Sequence, residues 1–97
     1  PSNARKMGER LEIGLEAVKS KHETIVKETR GLGLLVAVEL HESISGDLVS
    51  NCNEEGLLLN PVRPNTIRFM PPLNVTPSEI DEAISKFEKA LITLSNT

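Results

Sequence analysis

The last quarter of the chain contains a helix whose start is specified by its own residues. Thr76-Pro77-Ser78-Glu79 matches a capping box, in which the threonine caps the helix and the glutamate bonds back to the threonine backbone. Val75 before the cap and Ile80 after it are placed to pack together as a hydrophobic staple. Apolar residues then recur at helical spacing: Ile80, Ala83, Ile84, Phe87, Leu91 and Leu94. A chain with this ending must fold so that one face of a long C-terminal helix is buried.

A second amphipathic helix is predicted near the N-terminus, from Ala4 to about Lys21. Its apolar residues form one stripe: Met7, Leu11, Leu15 and Val18. Charged residues of both signs occupy most other positions, as on a solvated helix face. Residues 2–4, Ser-Asn-Ala, are typical of the remnant of a cleaved expression tag, and a start directly in a helix is typical of a segment taken from a longer protein.

The middle of the chain is predicted to form strands. An extended segment begins at Ile25 and is interrupted by the sequence Arg30-Gly31-Leu32-Gly33. Leu34 to Leu40 then has apolar residues on both faces, which suits a central and mostly covered strand. Gly31 and Gly33 allow the chain to turn or bulge before it enters that strand.

The remaining elements complete the fold prediction. Asp47–Glu55 is predicted as a short helix. Leu57–Leu59 and Thr66–Met70 are predicted as two strands of a hairpin, joined by a turn over Asn60–Asn65 that contains two prolines. The order helix, strand, helix, strand, strand, helix predicts one α+β domain over residues 1–97, with a small antiparallel sheet and helices packed on one face.

The composition excludes several classes of function. The net charge is −3, so we do not expect nucleic-acid binding, which normally requires a basic surface. No apolar run approaches the roughly 20 residues of a membrane span, and no signal sequence is visible at the start. The single cysteine, Cys52, cannot form an internal disulfide, and a lone thiol is typical of the reducing cytoplasm. We therefore expect a cytoplasmic protein.

Metal and nucleophile sites are not predicted. His22, His41 and Cys52 do not show the spacing of zinc ligands or of a paired nucleophile and base, and we expect both histidines on the surface. Arg30-Gly31-Leu32-Gly33 contains two glycines but precedes a strand, whereas a phosphate-binding glycine loop follows a strand and opens a helix.

Arg68 is the residue most indicative of a function. It lies in an apolar strand between Ile67 and Phe69, just before Pro71-Pro72. A buried guanidinium needs an anionic partner, and its planar fork suits a carboxylate bound through two parallel hydrogen bonds. That partner is either a ligand carboxylate or an ordinary glutamate on the exposed face of the strand, and these residues alone do not decide between the two.

Three stretches resemble the C-terminal part of class III pyridoxal-phosphate aminotransferases. The first is Thr29–Leu40, TRGLGLLVAVEL, and the second is Glu55–Pro61, EGLLLNP. The third is Ile67–Leu73, IRFMPPL, followed by Val75-Thr76 and Glu79-Ile80-Asp81. Together they follow the order and spacing of the family over nearly the whole chain, and the third is the most specific.

This resemblance implies the small C-terminal domain of a fold-type I enzyme, in which Arg68 binds the α-carboxylate of the amino-acid substrate. It also implies that a large domain of the same protein holds pyridoxal 5'-phosphate through a lysine. No residue of this chain matches that lysine or the cofactor-binding motifs, so no catalytic, cofactor-binding or metal residue is assigned here, and Lys86 and Lys89 are expected to be solvated. The chain alone is therefore expected to bind no cofactor and to be inactive.

For the full-length protein, the resemblance implies a cytoplasmic homodimer that transfers an amino group from N-acetylornithine to 2-oxoglutarate in arginine biosynthesis. Ornithine or another ω-amino donor is the alternative within the family. Outside it, the alternatives are a free-standing α+β module that binds a small carboxylate for regulation, and a pure oligomerisation domain.

Overall fold

The described fold consists of two helices and one four-stranded sheet. The computed structural model describes residues 2–32, 35–43, 47 and 59–95. Its elements are the helices α1 (Ser2–Lys21) and α2 (Pro77–Ser95) and the strands β1 (Val26–Leu32), β2 (Leu35–Leu40), β3 (Leu59–Arg63) and β4 (Thr66–Phe69). The sheet is antiparallel throughout, in the order β1-β2-β4-β3. The predicted α+β class, the antiparallel sheet and the hairpin of the last two strands are confirmed.

Helix α2 begins where the capping box predicts. The backbone N–H of Thr76 donates to Glu79 Oε1 at 2.9 Å, and the N–H of Glu79 donates back to Thr76 Oγ1 at 3.3 Å. Val75 and Ile80 are both buried, as expected of a hydrophobic staple. The cap therefore satisfies the first backbone donors of the helix and sets the direction in which it leaves the sheet.

Both helices pack on one face of the sheet. In β2 and β4 every second residue is buried, so one side of each strand belongs to the core. The buried apolar strand residues are Val26, Val36, Val38, Leu40, Ile67 and Phe69, and the buried helix residues include Met7, Leu11, Leu15, Val18, Ile80, Phe87 and Leu91. The predicted stripe of α1 is thus confirmed. The two phenylalanines of the chain meet edge to face in this core, with ring centroids 5.0 Å apart.

The opposite surface of the sheet is called the open face below. It carries Arg30, Leu35, Ala37, Glu39, Thr66 and Arg68, and neither described helix covers it. The apolar residues on both sides of β2 predicted a strand mostly covered on both faces, but Leu35 is 37% exposed. The difference arises because α1 and α2 lie on the same side of the sheet.

The interruption predicted at Arg30-Gly31-Leu32 was wrong, because β1 continues through these residues. Gly31 pairs with Val36 and faces α1. A Cβ atom at Gly31 would overlap the carboxylate of Glu12 on α1, so the glycine lies against a helix side chain and does not end the strand. Gly33 lies outside the described residues.

The turn predicted over Asn60–Asn65 is shorter than expected. Strand β3 extends through Pro61 to Arg63, and only residues 64 and 65 form the turn. A proline is tolerated here because β3 is an edge strand, where a missing backbone donor need not break a ladder. The helix predicted over Asp47–Glu55 lies outside the described residues, except for Asp47 itself, which is helical.

Two polar contacts connect α1 to α2 beside the core. Arg10 donates two hydrogen bonds to Asp81, from Nε at 2.9 Å and from an Nη at 2.6 Å. Near the other end of the pair, His22 Nε2 lies 2.8 Å from Glu88 Oε2. The side chain of His22 is only 18% exposed, so the expectation of a surface histidine was wrong for this residue. His41 is exposed, as expected.

The turn before β4 is bonded to the end of β2 through Asn65. The N–H of Leu40 donates to the Asn65 carbonyl at 2.6 Å, and the Asn65 side-chain amide donates to the Leu40 carbonyl at 3.2 Å. From this point, Ile67 pairs with Val38 and Arg68 with Ala37. A slip of one residue would exchange the two faces of β4, so Asn65 helps to keep Arg68 on the open face.

We predict that Asn65→Ala lowers the free energy of unfolding of the chain by about 0.5–1.5 kcal/mol, the usual net contribution of one hydrogen bond. Urea denaturation followed by circular dichroism measures this change. Asn3→Ala is the matched control, because the amide of Asn3 bonds the Leu73 carbonyl on the exposed surface at 3.1 Å. An equal loss for both variants would contradict the assigned role of Asn65.

The Arg10–Asp81 contact makes the stability of the fold depend on pH. Hydrogen bonds from Arg10, together with its positive charge, hold the pKa of Asp81 below its ordinary value. The contact therefore stabilises the fold above the unfolded-state pKa of about 3.9, and this contribution is lost as the pH falls through the lower folded-state pKa.

An NMR titration of the Asp81 carboxyl carbon tests this directly. We expect Arg10→Gln to return the pKa of Asp81 to its ordinary range. Arg5→Gln removes the same charge from an exposed position on the same helix and should leave the midpoint unchanged. Identical Asp81 titrations in wild type and Arg10→Gln would show that the contact does not persist in solution.

Candidate functional site

Arg68 lies on the open face, in a strand that is paired on both sides. Its neighbours Ile67 and Phe69 are buried on the helix side, so alternation along the strand directs the arginine to the other surface. Its cross-strand partners are Ala37 on β2 and Asn60 on β3. The small side chain of Ala37 leaves space beside the arginine, and pairing on both sides holds its backbone in place.

The Arg68 side chain has a buried donor without a partner. Its Nε atom is inaccessible to solvent and makes no hydrogen bond with the described residues. Within that part of the chain, no carboxylate lies within salt-bridge distance of the guanidinium. The ordinary arginine–glutamate bridge that the sequence left open is therefore not formed here. Since an unsatisfied buried donor is costly, the site is suited to an anion that supplies two acceptor oxygens.

Among the described residues, Glu39 is the carboxylate on the open face that lies nearest to Arg68 in the pairing of the strands. It pairs with Thr66, two residues before Arg68 on β4. Its side chain is 20% exposed and is bound from the other direction, by Lys27 Nζ at 3.5 Å and by an Nη of Arg30. Sequence patterns did not reveal this group, because the break predicted at Arg30 left β1 unpaired with β2.

Comparison with known proteins identifies the family. The sequence profile of the family Aminotransferase class-III matches residues 1–91. The chain belongs to the class III aminotransferases. It is 42% identical to acetylornithine aminotransferase from Nostoc sp. over 96 residues, which cover 96% of this chain and 22% of that protein.

Solved structures of the same family share the fold. Acetylornithine aminotransferase from Elizabethkingia anophelis superposes with a TM-score of 0.86 at 28% identity, over 94% of this chain and 23% of that one. Lysine aminotransferase from M. tuberculosis superposes with a TM-score of 0.87 at 29% identity, over 94% of this chain and 21% of that one. The chain thus spans about a fifth of the length of the aminotransferases that it matches.

The class III family implies pyridoxal phosphate in the full-length protein. A lysine that attached the cofactor beside Arg68 would need an unpaired amino group, but Lys27, the described lysine nearest to the open face, is bound to Glu39. Lys19 and Lys86 contact carboxylates as well, and Lys89 is exposed on α2. The buried Nε donor of Arg68 matches an anion instead.

Other kinds of site are not seen in the part of the chain that the structure describes. No three His, Cys, Asp or Glu side chains there are placed to hold a metal ion. No helix of that part is long and apolar enough to cross a membrane. Cys52 lies outside the described residues.

We predict that adding pyridoxal phosphate to this chain alone produces no saturable absorbance band of lysine-bound cofactor. The physical reason is that no described lysine lies beside Arg68 with its amino group available. A spectrophotometric titration followed by dialysis separates specific binding from the slow, nonspecific reaction of exposed lysines. A stoichiometric band that survives dialysis would place a cofactor site in this chain.

Proposed function

We propose that this chain is the substrate-side small domain of an aminotransferase, and that Arg68 binds the α-carboxylate of the substrate. The observation that carries the proposal is the buried Nε of Arg68, which lacks a partner among the described residues on a face that no described helix covers. Membership of the class III family supports an amino acid and a 2-oxo acid as the ligands. Both bear a carboxylate that one arginine can bind. In 2-oxoglutarate it is next to the reacting carbon, and in N-acetylornithine, whose α-amine is acetylated, it is separated from the terminal amine that is transferred by the length of the side chain.

The geometry of β4 suits this role. A guanidinium binds a carboxylate through two parallel N–H···O bonds, which set the plane as well as the position of the bound group. The backbone of Arg68 is paired with β2 and β3, while the adjacent Ile67 and Phe69 are anchored in the core. A substrate whose carboxylate is held at such a rigid point is positioned before the chemistry begins, and positioning of this kind can lower a barrier by several kcal/mol.

The reaction that we propose for the full-length protein is transfer of an amino group from N-acetylornithine to 2-oxoglutarate, a step of arginine biosynthesis. The similarity to acetylornithine aminotransferases of several bacteria supports this choice of donor. Pyridoxal phosphate would be held by a larger domain outside this chain, so the chain alone would be inactive. We further propose that the full-length protein is a cytoplasmic homodimer, as the family resemblance implies.

A second donor is supported by one observation. The lysine aminotransferase from M. tuberculosis matches this fold as well as an acetylornithine aminotransferase does. Arg68 would hold the α-carboxylate of either donor in the same way. Steady-state kcat/KM of the full-length protein for N-acetylornithine, ornithine and lysine decides between these donors. A clear preference for lysine or ornithine would overturn the proposed reaction. It would leave the proposed role of Arg68 intact.

We expect Arg68→Gln in the full-length protein to lower kcat/KM by roughly 10- to 100-fold for both the amino donor and 2-oxoglutarate. The loss corresponds to a hydrogen-bonded charge pair with the substrate. Arg68→Lys should recover only part of it, because an ammonium group is a point charge without the planar fork. Steady-state kinetics with each substrate varied in turn measures these changes.

Arg5→Gln serves as the matched control, since Arg5 is exposed on α1. Its kinetics should equal those of the wild type. Wild-type kcat/KM for both substrates in Arg68→Gln would refute the assignment of Arg68.

A further inference from the structure

Glu39 stands where it could compete with a substrate for Arg68. In the β2–β4 pairing, Ala37 lies opposite Arg68, and Glu39 lies opposite Thr66. Glu39 and Arg68 are therefore diagonal neighbours on the same face. Such neighbours have Cα atoms roughly 7–8 Å apart, a distance that long side chains can span. A glutamate in this position would normally be expected to bridge the arginine.

Strand β1 binds the Glu39 carboxylate instead, from the side away from β4. Lys27 Nζ lies 3.5 Å from one carboxylate oxygen, and an Nη of Arg30 bonds the other. Because β1 and β4 flank β2 on opposite sides, these contacts draw the carboxylate away from Arg68. Both oxygens of Glu39 are thus occupied by cations that are not Arg68.

An irregularity in β1 contributes to this arrangement. The pairing shifts between Val26 and Glu28, so Lys27 is an extra residue in the strand. A β-bulge of this kind re-aims a side chain, and here the re-aimed ammonium group reaches Glu39. Glu28, which lies directly opposite Glu39 in the pairing, contacts Lys19 of α1 at 3.6 Å instead. The like charges of the two glutamates are thus balanced separately, Glu28 by Lys19 and Glu39 by Lys27 and Arg30.

We propose that Lys27 and Arg30 are positioning residues that hold Glu39 away from Arg68 and so keep the guanidinium available for the substrate carboxylate. The proposal rests on the assigned role of Arg68.

The test is made in the full-length protein, with the double variant Lys27→Gln/Arg30→Gln. Once released, Glu39 can bridge Arg68 and compete with the substrate. We expect the KM for amino donor and for 2-oxoglutarate to rise roughly two- to five-fold, the effect of a partly exposed ion pair, while kcat at saturation stays unchanged. Steady-state kinetics at low ionic strength gives the clearest difference, since salt screens such pairs.

The decisive measurement is rescue by a third substitution. Adding Glu39→Gln to the double variant removes the competing carboxylate, so KM should return to the wild-type value. A merely structural role of the Lys27–Glu39–Arg30 cluster predicts the opposite, because a third change would not restore what the first two damaged. Thermal unfolding of each variant shows whether folding is affected. If the double variant does not fold, Lys27→Gln and Arg30→Gln are each tested with and without Glu39→Gln.

The outcomes separate this inference from the function on which it depends. Unchanged kinetics in Arg68→Gln would remove the proposed function and the inference with it. A raised KM in Arg68→Gln, combined with a wild-type KM in the double variant, would overturn the inference alone. So would a triple variant whose KM remains as high as that of the double variant.

Discussion

Phe69 packs edge to face against Phe87, and this contact joins the strand that carries Arg68 to the C-terminal helix. The chain has no other Phe, Tyr or Trp, so this is the one pair of such rings in a thin core that is otherwise built of aliphatic residues and methionine. Because Ile67 and Phe69 are buried in the core, the alternation of side chains along β4 places Arg68 on the open face. The position of the proposed binding group thus follows from apolar packing on the other side of the same strand.

The open face differs in two ways from an ordinary exposed surface. The Nε atom of Arg68 is buried although neither described helix covers this face, and the carboxylate nearest along the sheet is occupied by Lys27 and Arg30. An arginine in water needs no special arrangement of its neighbours, because solvent satisfies it. An arginine that must bind an external anion does need such an arrangement of its neighbours, since any carboxylate of the protein within reach lowers its affinity for the ligand.

The elements predicted correctly from sequence are those with strong local signals. The capping box and the apolar spacing determine α2 from neighbouring residues alone, and the same holds for α1. The direction of Arg68 was also implied, because Ile67 and Phe69 flank it in an alternating strand. The features that local sequence patterns did not predict depend on contacts between elements that are distant in sequence. Gly31 appeared to end a strand, but it accommodates Glu12 of a helix that is distant in sequence.

The grouping of Lys27, Arg30 and Glu39 also could not be predicted from local sequence patterns. Lys27, Arg30 and Glu39 are unremarkable charges along the sequence, and their grouping appears only once β1 is paired with β2 and its bulge is located. A pattern of alternation cannot reveal a bulge, since one extra residue changes which side chains share a face. Long-range register was therefore the missing information, both for the extent of β1 and for the charges around Arg68.

The position of Arg68 also explains why this domain alone does not define a substrate. The α-carboxylate is common to N-acetylornithine, ornithine and lysine, so an arginine that binds it contributes equally to the recognition of all three. Discrimination between donors requires contacts to the parts in which they differ, the acetyl group on the α-nitrogen and the length of the side chain. An arginine that binds only the common carboxylate is compatible with any of these donors, and the solved acetylornithine and lysine aminotransferases share the fold of this chain. It follows that changes on the open face should alter the affinity for all carboxylate substrates together, while changes of preference among donors arise elsewhere in the protein.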